Sequence, residues 1–152
     1  MLKNPGTEIQ KSDYTIIVGC GCTGAGFANT LSKNKRKVLI IDQEVKSLQR
    51  LLPTYNGSTA VGDGTDLDQL REVGMGNATF VLSATNSDTT NLMIAQMAKE
   101  IFHVKQVIAK LNELEFADVY REFGIKTVAP GALTTVELVR LLDNTEMERI
   151  VE

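Results

Sequence analysis

Gly19, Gly21 and Gly24 fall in the spacing G-x-G-x-x-G, with Cys20, Cys22 and Thr23 between them. Each glycine has its own physical use in such a run. The first permits a tight turn, the second lets phosphate oxygens reach the backbone, and the third lets a helix pack closely on a strand. Free N–H groups at the start of that helix then face the anion. Asp42 comes eighteen residues after Gly24, close to the roughly 20 at which an acid accepts from ribose hydroxyls; alternatively it caps the segment that follows. A carboxylate there repels a 2′-phosphate, and the next residues, Gln43 and Glu44, include no arginine to offset it, so NADP is disfavoured. Gly62-Asp63-Gly64 lies where the chain would pass a nucleotide base. Two readings of Asp63 stay open: it accepts from an adenine amino group, or it joins Thr65 and Asp66 in a turn and helix cap. Thr85-Asn86 divides the same way, between touching phosphate and capping a helix.

These residues need strands to carry them. Tyr14–Val18, Lys37–Asp42, Thr59–Gly62, Thr79–Ala84, Gln106–Lys110 and Lys126–Ala129 are short β-branched or apolar runs that end in polar or turn-forming residues, which makes six candidate strands. Helical spacing separates them. Ala25–Lys33 can form a helix, Leu67, Leu70 and Val73 a shorter one ended by Gly74, and Ile94, Met97, Ala98, Ile101 and Phe102 a clear stripe. A cap for that stripe is expected near Asn86, Ser87 and Asp88. Phe116, Val119, Tyr120 and Phe123 form another, with Gly124 placed to end it. Buried strands alternating with one-sided helices predict an α/β fold: a Rossmann-like, doubly wound, parallel six-stranded sheet covered on both faces. The segment Leu133–Leu142 carries a wider apolar surface than one helix face needs. It reads as a final packed helix or as a helix shared with a second subunit.

Composition narrows the class. The chain of 152 residues has room for about one domain. With 43% apolar and 23% charged residues it can bury a core. Sixteen Lys and Arg against nineteen Asp and Glu give a net charge of −3, which argues against a nucleic-acid binder. No apolar run is long enough to insert in a membrane, and the polar start does not read as a secretion signal, so a cytoplasmic protein is expected. The two cysteines, separated by a single residue, lie in a glycine-rich turn that disfavours a bridge, and reduced thiols suit that compartment. One histidine, His103, and no cluster of soft ligands leave no expected metal site.

Beyond the glycine motif, the chain resembles the RCK or KTN (TrkA-N) domains, which regulate potassium channels and Trk/Ktr potassium transporters. The likeness covers residues 14–142. It is carried by Ile17-Val-Gly-Cys-Gly-Cys-Thr-Gly24, Val38-Leu-Ile-Ile-Asp42, Val61-Gly-Asp-Gly-Thr65, Leu70-Arg-Glu-Val-Gly74, Ala84-Thr-Asn-Ser-Asp88, Val107-Ile-Ala-Lys110 and Gly124-Ile-Lys-Thr-Val-Ala-Pro130. The resemblance implies a homodimer or higher ring that binds NAD(H), ATP, ADP or AMP and transmits occupancy to a membrane potassium transporter subunit. By the same carry-over, the 19–24 loop holds phosphates, Asp42 with Gln43 beside it meets the ribose, Gly62, Asp63 and Gly64 surround the adenine, and Lys110 stands near the phosphates. Read without the family, Lys110 is equally a surface lysine at a strand end. Many relatives carry Arg at the position of Cys22, so this chain is expected to lean on backbone N–H groups or Lys110. Gly131 stands where transporter regulators often carry an acid, and the C-terminal ligand-binding domain usual in the family is expected to be missing.

The expected organisation is a polar leader over 1–13, the nucleotide-binding domain over 14–142 and an acidic tail over 143–152. The function implied is a non-enzymatic, nucleotide-sensing regulatory subunit of a potassium uptake system, peripheral to the membrane through its partner. The competing classes are a small NAD-dependent oxidoreductase and an interaction module without a ligand. A dehydrogenase needs a proton donor beside the cofactor, and His103 is expected at the surface, away from the cofactor edge.

Overall fold

The computed structural model describes residues 13–151, and the side chains of residues 13–144; the leader expected over 1–13 thus lies almost wholly outside the described residues. At the centre is β1, Tyr14–Val18, whose Ile16 and Ile17 are completely buried. A strand covered on both faces needs an apolar run rather than an alternation, and Thr-Ile-Ile-Val supplies it. The remaining strands are β2 (Lys37–Asp42), β3 (Ser58–Val61), β4 (Phe80–Ser83), β5 (Gln106–Lys110) and β6 (Lys126–Val128). All pairings are parallel, and the sheet order is β3-β2-β1-β4-β5-β6. The fold is therefore the Rossmann-like doubly wound sheet. Chain direction across the sheet reverses between β1 and β4, where a crevice opens at the carboxyl ends of open α/β sheets.

The helices divide unequally between the two faces. Helix α1, Cys22–Lys33, buries Ala25, Ala28 and Leu31 against Ile17, Ile40 and Leu82. The opposite face holds α2 (Leu67–Glu72), α3 (Asp88–Gln96) and α4 (Ala117–Glu122), whose Leu70, Ile94 and Tyr120 join Ile16, Val18, Ile41 and Val81 in the larger core. Side chains on β1 and β2 alternate between these cores, which locks the register of both strands.

Several boundaries move. The helix read from Ala25 begins at Cys22, so the last residues of the glycine loop are also the first turn of α1. Strand β4 is shorter than the 79–84 run, although Thr79 N and Ala84 N still donate to the carbonyls of Tyr14 and Val18 at 2.8 and 2.7 Å. Strand β3 starts one residue earlier than its apolar run and stops before Gly62; as an edge strand it is largely exposed. Ser87 caps α3, which continues as a π-helical turn over Met97–Ile101. Gly74 and Gly124, at φ +81° and +66°, end their helices in the left-handed region. The helix read over 133–142 is longer at both ends: α5 runs from Pro130 to Val151, and every side chain from Leu133 to Asn144 is exposed.

Candidate functional site

A cleft of about 640 Å³ opens at the carboxyl ends of β1, β2, β4 and β5. The glycine loop forms its floor. Gly19 sits at φ +106° with its N–H on the Ile41 carbonyl at 2.8 Å, and a Cβ there would press on the Ala84 carbonyl. A Cβ on Gly24 would collide with the Gly19 carbonyl, so this glycine lets α1 sit close under the loop. Gly21 differs from both. A Cβ on it would meet nothing within 4 Å, so the loop leaves open space where its backbone faces the cleft. Gly21 caps α1 without a side-chain acceptor, and the first intrahelical bond runs from Ala25 N to Gly21 O. The N–H groups of Cys22, Thr23 and Gly24 thus have no acceptor among the described residues, and orphan donors at a helix start favour an anion.

On the β2 side, Asp42 ties the loop down. Its Oδ2 accepts from Cys20 N at 2.7 Å and its Oδ1 from Glu44 N at 2.8 Å. Each carboxylate oxygen keeps a second lone-pair direction for a ligand hydroxyl. The Cys20 N–H is spent on this bond, and the Cys20 side chain is completely buried with Ala25 and Ala28. Burial, with Asp42 nearby, pushes its thiol above the ordinary cysteine value. Cys20 and Gly24 therefore stand behind the cleft, whereas Gly19, Gly21, Cys22, Thr23, Asp42, Gln43, Gly62, Asp63, Gly64, Thr85, Asn86 and Lys110 all line it.

Arg50 also lines the cleft, at the end of a 3-10 turn over Val45–Arg50, with Nη1 at 3.5 Å from the Cys20 carbonyl. Sequence reasoning missed it because it looked for a cation directly after Asp42. Eight residues after Asp42 that turn returns one to the same edge, and the case against a 2′-phosphate loses that support.

The opposite wall is built around Asn91, which is completely buried. Its Oδ1 accepts from Thr85 N at 2.8 Å and Thr85 Oγ1 at 2.6 Å, and its Nδ2 donates to the carbonyls of Thr85 and Lys110 at 3.0 and 3.1 Å. All four bonding directions of the amide are used, and the ends of β4 and β5 are held together. Thr85 serves this wall, and Asn86 stays exposed at the rim. Lys110, the last residue of β5, is 7% exposed, and its ammonium has no acceptor among the described residues. It is not the surface lysine that a strand end allowed. Burial lowers its pKa, while the nearby Asp88 carboxylate and Cys22 work against that shift. Asp88 itself is occupied, accepting from Asn112 N, Asn112 Nδ2 and Glu113 N at 2.7–2.9 Å.

Around the third strand's end, Asp63 Oδ1 accepts from Thr65 N and Oγ1 at 2.8 and 2.7 Å, which makes the turn. Those bonds, more than the one from Gln43, hold its carboxyl below the usual range. The helix cap belongs to Asp66, which accepts from Asp68 N and Gln69 N. Gln69 Oε1 takes the Asp63 N–H at 2.7 Å. Asp63 still lines the cleft alongside this turn. His103 is exposed in the connection that enters the amino end of β5, at the opposite end of that strand from the cleft. No oriented acid–base pair lies among the described residues lining the cleft, and none of the described residues gathers three His, Cys, Asp or Glu side chains as a metal site.

Comparison with known proteins agrees with this geometry. The Trk system potassium uptake protein TrkA of Streptomyces coelicolor is 33% identical over 129 residues, covering 85% of this chain and 58% of its own length. A homologue from Archaeoglobus fulgidus is 30% identical over 138 residues, covering 90% of this chain and 31% of itself. The chain thus spans between about a third and three fifths of these relatives. Among solved structures, the GsuK channel bound to NAD superposes with a TM-score of 0.78 at 22% identity, over 92% of this chain and 25% of that one; this likeness concerns the fold. The profile of the TrkA-N domain matches residues 15–130, a span that contains every wall of the cleft just described, and the chain belongs to the TrkA-N domain family.

Proposed function

We propose that the domain senses an adenine nucleotide, NAD(H) or ATP/ADP/AMP, and passes its occupancy to the membrane subunit of a Trk/Ktr-type potassium uptake system from the cytoplasmic side. The observation that carries this reading is Lys110. Its side chain is largely buried, while its ammonium, which has no acceptor among the described residues, opens on the cleft. A cation partly stripped of water there is favoured by an anion, and it faces a glycine loop whose N–H groups also lack partners. Phosphate suits both. In this reading Asp42 and Gln43 meet the ribose, Arg50 lies at the same edge, and Gly62, Asp63 and Gly64 border the adenine. The NAD carried by GsuK supports this class of ligand.

Sensing needs no catalytic residue, only a ligand that binds one arrangement of the assembly better than another. The second arrangement requires a partner copy, and α5 offers the surface. Leu133, Val136, Leu138, Val139, Leu141 and Leu142 are 48–68% exposed along a helix that an isolated chain would hold poorly in water. Residues 14–142 act as the ligand-binding unit, and α5 runs on from there to Val151 within the acidic segment 143–152.

Thermal denaturation with NAD, NADH, ATP, ADP and AMP tests the reading. At one hundred times its dissociation constant the true ligand stabilises by about 2.7 kcal/mol, a rise of roughly 5–10 °C for a domain of this size. No shift with any of the five refutes nucleotide sensing, and steady NADH production from a small alcohol or hydroxy acid replaces it with the oxidoreductase reading.

A further inference from the structure

We propose that Cys22 is a redox-modification site: an anionic low-molecular-weight disulfide, drawn into the cleft, exchanges with its thiol, and the resulting mixed disulfide excludes the nucleotide. The proposal rests on the nucleotide reading of the cleft. Two cysteines two positions apart have opposite surroundings. Cys20 is sealed in the core under α1, and burial pushes its thiol up. Cys22 is exposed, is the first residue of the 12-residue helix α1, and lines the cleft.

An exposed cysteine alone would carry nothing. Here a second group points to a ligand: Lys110, only 7% exposed, lines the same space as Cys22, and its ammonium opens on that space without an acceptor among the described residues. A disulfide bearing carboxylates can place one on Lys110 and on the N–H groups of the first turn of α1, which brings its sulfurs to Cys22 Sγ. Beside it, Gly21 leaves room for the substituent.

The step balances without any further oxidant. Cys22 Sγ, as its anion, attacks one sulfur of the disulfide; that S–S bond breaks as the new one forms, and the other half leaves as a thiolate that takes up the proton Cys22 released. Reduction by excess thiol reverses it. The added group and its carboxylate occupy the ground the nucleotide phosphates need.

The test uses the full reduced chain and two probe disulfides, the dicarboxylate 5,5′-dithiobis(2-nitrobenzoate) and the uncharged 4,4′-dithiodipyridine. The expected result is one fast-reacting thiol per chain, absent in Cys22→Ser, with intact mass showing a single adduct. Saturating nucleotide slows that phase about tenfold or more. Lys110→Met slows the dicarboxylate by a similar factor but not the uncharged probe, and the adduct abolishes the nucleotide-induced thermal shift until thiol restores it. A nucleotide that stabilises the protein yet leaves the Cys22 rate unchanged overturns the proposal while the nucleotide reading stands. So does loss of two hydrogens without an adduct, the mark of a Cys20–Cys22 bridge. If no nucleotide stabilises the reduced chain, both fall.

Discussion

Lys110 shows how a binding group can act against the stability of the fold that presents it. Burial sets its pKa below the ordinary lysine value. Below the folded-state pKa both folded and unfolded chains carry the proton, and the folded one bears the cost of burial in full. As pH rises from that value toward the unfolded one, the folded state sheds its proton first and the cost is relieved. At neutral pH the charge therefore opposes folding unless an anion meets it. Lys110→Met should raise the melting temperature of the free protein by a few degrees and weaken nucleotide binding about ten- to a hundredfold, the worth of one charged hydrogen bond of roughly 1.5–3 kcal/mol. In the unmodified chain, nucleotide affinity should hold steady near neutrality and fall as pH rises through the lowered Lys110 value; the variant should lack that fall. Calorimetric titrations at about pH 7 and about pH 9.5 measure both. The same attention to the free protein changes the meaning of Asp42→Ala. Because Asp42 accepts from Cys20 N, that substitution loosens the glycine loop as well as removing the proposed ribose contact.

At the scale of elements, the cleft is two walls joined across the point where strand order reverses, and each wall has its own fastening. Gly19 N on Ile41 O and Asp42 on Cys20 N tie β1 to β2. Asn91 ties the loop after β4 to the end of β5 from inside α3. Replacing it by alanine takes away the acceptor of Thr85 N and Oγ1 and a donor to the Thr85 and Lys110 carbonyls, the former keeping only the longer bond from Asn112 Nδ2. Each bond left unmade in a buried setting costs about 1–3 kcal/mol. Asn91→Ala should therefore lose roughly 2–4 kcal/mol by chemical denaturation. It should also reduce nucleotide affinity beyond what the stability loss explains, because the Lys110 backbone is no longer held; binding measured well below the melting temperature separates the two. Tyr120 supports the same wall from below. Completely enclosed, its hydroxyl donates to the Asp88 carbonyl, and burial with the Asp88 carboxylate nearby pushes its pKa to about 12.

For the whole molecule, the ligand cleft and α5 lie on different parts of the chain, and the proposed sensing depends on joining them through a second copy. The 22-residue α5 leaves the last strand with Leu133, Val136, Leu138, Val139 and Leu142 exposed, while its described ion pair, Arg140 on Glu137 at 2.6 Å, lies within the helix and contributes little at the surface. Val139→Glu should convert the assembly to single chains in light scattering while the melting temperature of the nucleotide site changes little, since Val139 is exposed in the single chain. If single chains form without the substitution, α5 is not covered by a copy of this protein.

Sequence alone determined the sheet, the helices and most of the cleft, because each rests on local chemistry. β-branched runs demand buried strands, glycine spacing demands a tight turn under a helix, and an acid at a strand end must face the neighbouring loop. It could not tell Lys110 from a surface lysine, since burial depends on α3 closing over the end of β5. It missed Arg50, which the turn after β2 carries back to the loop, and Asn91, whose polar side chain belongs in the core only because Thr85 and Lys110 converge on it. Nor could it divide the work of the two cysteines. Starting α1 at Cys22 rather than Ala25 aims one thiol into the cleft and leaves the other beneath the helix. These choices follow from distances between segments far apart in the chain, and only the folded arrangement sets them.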